Sequence, residues 1–156
     1  MTVDIVLEDA RWAPHLDRLA PGAVAATLRD AGLDAQAHEV AILGCDDARI
    51  AALNADFRGK PAPTDVLSWP ASDLAPGDPP EAEMGDVAIA YDTVARAAAD
   101  QGKPFDDHVA HLLVHATLHL LGHDHLTDAE AEAMESAERR ILAGLGVPDP
   151  YGDRLG

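Results

Sequence analysis

The chain has 156 residues, enough for one domain that buries its own core, and sets 28 acidic residues against 11 basic ones for a formal net charge of −17. That charge repels polyanions and anionic membranes at long range, which excludes a protein that coats nucleic acid nonspecifically. The single Cys45 excludes an internal disulfide and fits a reducing compartment, where its expected role is a small buried hydrophobe. From Met1 to Ala10 there is no basic stretch followed by an apolar one, and no run of eighteen apolar residues occurs anywhere. The expectation is a cytoplasmic protein, neither exported by that route nor membrane-spanning.

Val3, Ile5 and Leu7 alternate as a first strand does. Pro21 at a first-turn position and Gly32 past the end predict a helix with Val24, Leu28 and Ala31 as its apolar stripe. Glu39 to Leu43 reads as a second strand; Asp46 and Asp47 then stand ready to cap a helix in which Ile50, Leu53, Asn54 and Phe57 share a packed side. Phe57 to Asp65 has two prolines, a glycine and two of the few cations, and is a loop. Val66 to Trp69 is a short strand stopped by Pro70. Ala71 to Met84, rich in proline and acid, predicts a mobile surface flap. Gly85 to Tyr91 is a buried strand, and Asp92 or Thr93 is placed to cap an alanine-rich helix reaching Gly102.

Pro104 opens the stretch that carries chemistry. His115 and His119 are four apart, so their imidazoles leave one helix face a turn apart. Gly122 suits a left-handed helix end, and three residues later His125 can return to the same face as a third nitrogen ligand. Three neutral imidazoles with a fourth position open favour one zinc ion per chain, although nickel, copper or iron also accept such a set. Thr127 and Glu130 have capping-box spacing for a last helix containing Ala131, Met134, Ile141 and Leu142. The order β, α, β, α, β, β, α, α, α predicts a single α/β or α+β domain over 1–156: a small mixed sheet of about four strands packed with about five helices.

The spacing H-x-x-x-H-x-x-G-x-x-H is also that of metzincin proteases, which place a glutamate after the first histidine as general base. Here that position is Ala116, and Met134, inside a predicted helix, supplies no Met-turn. Proteolysis is therefore the weakest of three functional classes, behind a metal-dependent RNA hydrolase and an rRNA-binding assembly factor with structural zinc.

Several stretches together resemble the bacterial YbeY family of rRNA maturation factors and endoribonucleases. They are the histidine stretch, Leu53-Asn54, Phe57-Arg58-Gly59-Lys60, Thr64 to Pro70, Gly85 to Ile89, Gln101-Gly102-Lys103-Pro104, His111 and Asp149-Pro150-Tyr151. The resemblance implies zinc held by His115, His119 and His125, Arg58 near the metal, and a role in small-subunit rRNA processing and ribosome quality control. Single-stranded RNA is then the substrate and small-subunit proteins are candidate partners. Catalysis is assigned to Arg58 and to His115 as ligand.

Ala116 stands where the family has glycine; on a helix this costs nothing, alanine being better by about 1 kcal/mol. His123 stands where the family has tyrosine, and reads either as a fourth nitrogen or, preferably, as a solvent-facing substitute. Asp65 and Asp86 can orient a ligating histidine or cap their own backbone, and His111 can border the cleft or serve the helix. Arg58, Lys60 and Lys103 form the expected local RNA patch on an otherwise acidic surface.

Overall fold

The computed structural model describes residues 2–151; Met1 and 152–156, part of the 1–156 domain expectation, lie outside the described residues. Four strands, β1 (Val3–Leu7), β2 (Glu39–Cys45), β3 (Val66–Pro70) and β4 (Glu83–Ala90), form one sheet in the order β1-β2-β4-β3. β1, β2 and β4 are parallel and β3 is antiparallel to β4, so the sheet is mixed, as expected. Among the described residues five α-helices accompany it: α1 (Ala13–Asp30), α2 (Asp47–Arg58), α3 (Tyr91–Gln101), α4 (Phe105–Leu120) and α5 (Asp128–Gly144).

Alternation along the strands divides the core. Val40 and Ile42 of β2, with Val87 and Ile89 of β4, face a large apolar cluster shared with α1, α4 and α5. Cys45, Ala88 and Ala90 face the opposite side, a smaller cluster with Ile50 of α2 and Leu67 of β3. Cys45 is fully buried, and that burial pushes its thiol up to about 12, which suits the packing role expected of it. Among the described residues no helix is long and apolar enough to cross a membrane.

The first helix corrects the expectation at Pro21. It starts at Ala13, with Pro14 in its first turn, and Pro21 lies inside it. An internal proline forfeits one helical hydrogen bond, but Leu16, Ala20, Ala23, Val24 and Leu28 are buried on both sides of it, and this shared burial carries the helix through. Packing overrides the local signal.

The remaining departures are smaller. Phe57, expected on the packed side of α2, is 63% exposed and meets Trp69 edge-on at 5.3 Å. α3 carries no side-chain cap of its own. Asp47 of α2 serves instead, accepting from the Thr93 amide at 3.0 Å and its hydroxyl at 2.7 Å. Asp46 caps α2 as anticipated. The expected flap ends early, since Glu83 and Met84 belong to β4 and Met84 is buried. The rest, Ala71 to Ala82, has no regular structure and is mostly exposed; the Ala71 amide on the Met84 carbonyl at 2.9 Å and the Glu39 amide on the Ala82 carbonyl at 2.7 Å tie its ends, and in its middle Gly122 has φ +99°, where a Cβ would collide with the Leu74 carbonyl oxygen.

Candidate metal centre and its cleft

α4 carries the histidines because its other faces are apolar: Val109, Leu112, Leu113, Val114, Leu118 and Leu120 are buried, leaving His111, His115 and His119 on the remaining stripe. The helix ends as its sequence predicts. The Gly122 amide donates to the His119 carbonyl at 3.0 Å and the His123 amide to the Leu118 carbonyl at 3.0 Å, the paired bonds of a Schellman cap with left-handed Gly122. The chain therefore reverses, and His125 comes back over His119, with ring centroids 5.5 Å apart.

His115, His119 and His125 bring one ligand nitrogen each within 4.8 Å of one another. Nε2 of His115 and Nε2 of His119 are 3.1 Å apart. The donor set fits a metal: Nδ1 of His115 lies 2.9 Å from Oε1 of Glu138, a carboxylate that only accepts, and a hydrogen bond donated from Nδ1 leaves the Nε2 lone pair free for a metal on the side of the other rings. Tetrahedral zinc with bonds of about 2.0–2.1 Å holds its nitrogens about 3.4 Å apart, close to this spacing. Burial, with the neighbouring His115 and His125 adding to it, lowers His119 to about 4, so its ring is neutral at pH 7.

A cavity of about 660 Å³ opens on this cluster, lined by His115, His119 and His125, by Arg58 from the end of α2, and by Asp65 and Ser68 from the β3 side. Arg58 reaches it because left-handed Gly59 ends α2 there, and the loop beyond is pinned by buried Asn54, whose amide donates to the Ala62 carbonyl at 3.0 Å. An adjoining cavity of about 410 Å³ shares His119 and Asp124 and continues past His123 to Leu74.

Other expected residues fall elsewhere. Asp65 accepts from the Val66 amide at 2.7 Å, capping its own turn, and Asp86 shares the α2 face of β4 with Ala88 and Ala90. Neither orients a cluster histidine. His123 is half-buried in the adjoining cavity and stands outside the group of clustered ligand atoms. Lys60 is exposed beyond α2, while Lys103 donates to the Pro150 carbonyl at 2.8 Å, so the expected patch is spread out rather than gathered in the cleft. Ala116 is buried in the core beside the cleft and supplies no carboxylate.

Glu138 of α5 is the residue that the sequence reading missed. It is fully buried and accepts from the Tyr151 hydroxyl, 2.7 Å from its Oε2, with His111 Nε2 at 3.3 Å and His115 at 2.9 Å. Burial raises a carboxyl, but the hydrogen bonds from His111 and His115 outweigh it and hold Glu138 down at about 2. Its sequence signal is an acid on the apolar stripe of α5, between Met134 and Ile141 at helical spacing.

A family model described as Endoribonuclease YbeY matches residues 7–146. The chain belongs to the YbeY family. Relatives named endoribonuclease YbeY include one from Paracoccus denitrificans, 59% identical and covering 96% of this chain and 89% of its own. Another, from Ruegeria pomeroyi, is 55% identical with 97% and 98% covered, and one from a Jannaschia species is 54% identical with 97% and 100% covered. The fold is similar to a solution structure of a Thermotoga maritima protein, with a TM-score of 0.64 at 20% identity, covering 98% of this chain and 91% of that one. YbeY membership accounts for the long-range agreement between the histidine stretch and the Arg58 motif, which lie on different elements and meet in one cleft.

Proposed function

We propose that the protein is a zinc-dependent endoribonuclease that cleaves single-stranded RNA in the cytoplasm during small-subunit rRNA maturation and ribosome quality control. The observation that carries this reading is the convergence of His115, His119 and His125 at one end of a cleft that also holds Arg58, in a chain of the YbeY family. Bound zinc would supply Lewis acidity toward a phosphoryl oxygen. The three imidazoles hold it, and the Arg58 guanidinium takes the phosphate through two parallel hydrogen bonds and offsets the charge that builds up in the transition state. A peptide bond needs its departing nitrogen protonated, and Ala116 cannot do that; phosphoryl transfer depends more on position and charge. RNA also brings its own nucleophile, the 2′-hydroxyl, and a cyclic phosphate product identifies that route.

Cleavage of single-stranded RNA by native, metal-stripped and zinc-restored protein tests this reading, with elemental analysis alongside. About one zinc per chain is expected, lost in the triple His115, His119 and His125 to Ala variant. Activity should fall by two orders of magnitude or more in Arg58→Ala. Casein digestion that disappears in His119→Ala, with RNA left intact, would move the protein to the protease class.

A further inference from the structure

The sequence motif Asp149-Pro150-Tyr151 has no part in the cleft, yet it is tied down with care. Lys103 holds the Pro150 carbonyl, Arg139 pairs with Asp149 at 3.3 Å, and the Arg139 guanidinium lies 5.2 Å from the centre of the Tyr151 ring. Asp149 also accepts from the Tyr151 amide at 2.8 Å. All of this delivers one hydroxyl to Glu138, a carboxylate with no exposure to solvent.

Glu138 has two oxygens and three neighbours that can donate. The Tyr151 hydroxyl bridges the carboxylate, 2.7 Å from Oε2 and 2.9 Å from Oε1, and fixes its plane so that Oε1 also lies 2.9 Å from Nδ1 of His115. A histidine ring can carry its neutral proton on either nitrogen, and only the form protonated on Nδ1 presents a lone pair at Nε2. We propose that Glu138 is a positioning residue, oriented by Tyr151, that locks His115 in the Nδ1-protonated form, so that the Asp149–Tyr151 segment sets the affinity of the three-histidine centre for its metal. This rests on the proposed zinc centre but not on RNA cleavage. His111, Glu138 and His115 also place ligand atoms within 4.8 Å of one another and so form a rival second metal site. Against that rival, the Glu138 oxygens are already taken by the Tyr151 hydroxyl and the two imidazoles.

The test uses the full chain without RNA. In metal-stripped protein, nitrogen NMR of the imidazoles should find the His115 proton on Nδ1, and Glu138→Gln should shift the population toward Nε2 because the amide can turn its NH₂ group to that ring. Zinc affinity, measured by competition with a chelator, should weaken 10- to 100-fold in Glu138→Gln and several-fold in Tyr151→Phe. In the Glu138→Gln background, Tyr151→Phe should add no further loss, since the tyrosine acts through the carboxylate.

A His115 proton found on Nε2 in the native chain overturns the proposal. So do unchanged zinc affinity in Tyr151→Phe, additive losses, or a second zinc per chain lost on Glu138→Gln. Tyr151→Phe keeps the ring and its packing, so the question stays answerable if Glu138→Gln fails to fold. Protein that meets these expectations yet leaves RNA uncut overturns the nuclease reading and not this one.

Discussion

His108 is 4% exposed, and among the described residues neither of its ring nitrogens has a hydrogen-bonding partner. Burial, helped by His111 nearby, lowers it from 6.5 to about 4, so the folded chain keeps this ring neutral. The unfolded chain takes up the proton first as acid is added. Stability is therefore lost as pH falls from 6.5 toward 4, at about 1.4 kcal/mol per unit, or about 2 kcal/mol by pH 5 from this one group. The carboxylates held low by arginines, such as Asp30 beside Arg140, act in a separate window below 3.8. Denaturant unfolding of His108→Leu at pH 7 and pH 5 checks this. Stability at pH 7 should be equal or higher, since two unpaired polar atoms are removed, and the loss on going to pH 5 should shrink by about 2 kcal/mol. Single residues also show where reading the sequence stopped short. His115 and His119 declare themselves by spacing, whereas Glu138 sits among charged neighbours in a helix that looks solvent-facing, and only its place on the apolar stripe betrays it.

α1 is the element in which a local rule and the tertiary structure disagree. Pro21 is exposed, so its ring contributes little to the core while interrupting the helix that Leu16 and Val24 hold in place. Proline in a helix interior is less favourable than alanine by about 3 kcal/mol, partly absorbed here by the packing on either side. Pro21→Ala should therefore stabilise the protein by about 1–3 kcal/mol and raise its melting temperature by several degrees, readable by calorimetry. The other elements were legible because their signals agree with their packing. Asp46 before α2, Gly102 after α3 and the Thr127–Glu130 box before α5 all stand where the structure uses them, whereas of the alternating Val3, Ile5 and Leu7 of β1 only Val3 is buried, because β1 is an edge strand and its far end is left uncovered. The cap of α3 was not legible, since its donor pair is answered by Asp47 from another helix, a partnership that no window along the chain contains.

At the scale of the whole molecule, the chain carries a net charge of −17, and among the described residues Arg58 is the one arginine or lysine that lines the cleft. Isolated protein should therefore bind single-stranded RNA weakly. The dependence on salt should correspond to only one or two phosphates, each giving a slope of about −0.7 in log affinity against log salt. Fluorescence anisotropy with a labelled oligonucleotide between 50 and 200 mM salt measures this on the scale given by about that slope. Tight binding that ignores salt would contradict it. The fold class was readable in advance from the order of elements, but the cleft was not, because its walls come from α2, β3, α4 and the turn after α4. Where Leu74 rests on Gly122, the long irregular connection between β3 and β4 is divided into two short ones. Beyond that point the Ala75 amide meets Asp78 at 2.9 Å, and the Asp78 amide returns to the Ala75 carbonyl at 3.0 Å, after which Asp78 and Pro79 are exposed. A peptide spliced in between Asp78 and Pro79 pays only for loop closure, about 0.6 kcal/mol for each doubling of length, and leaves the anchor in place. That junction is the engineer's entry to this protein: a reporter or affinity tag inserted there should leave the melting temperature within a few degrees of native, while the same insert at Leu74 should not.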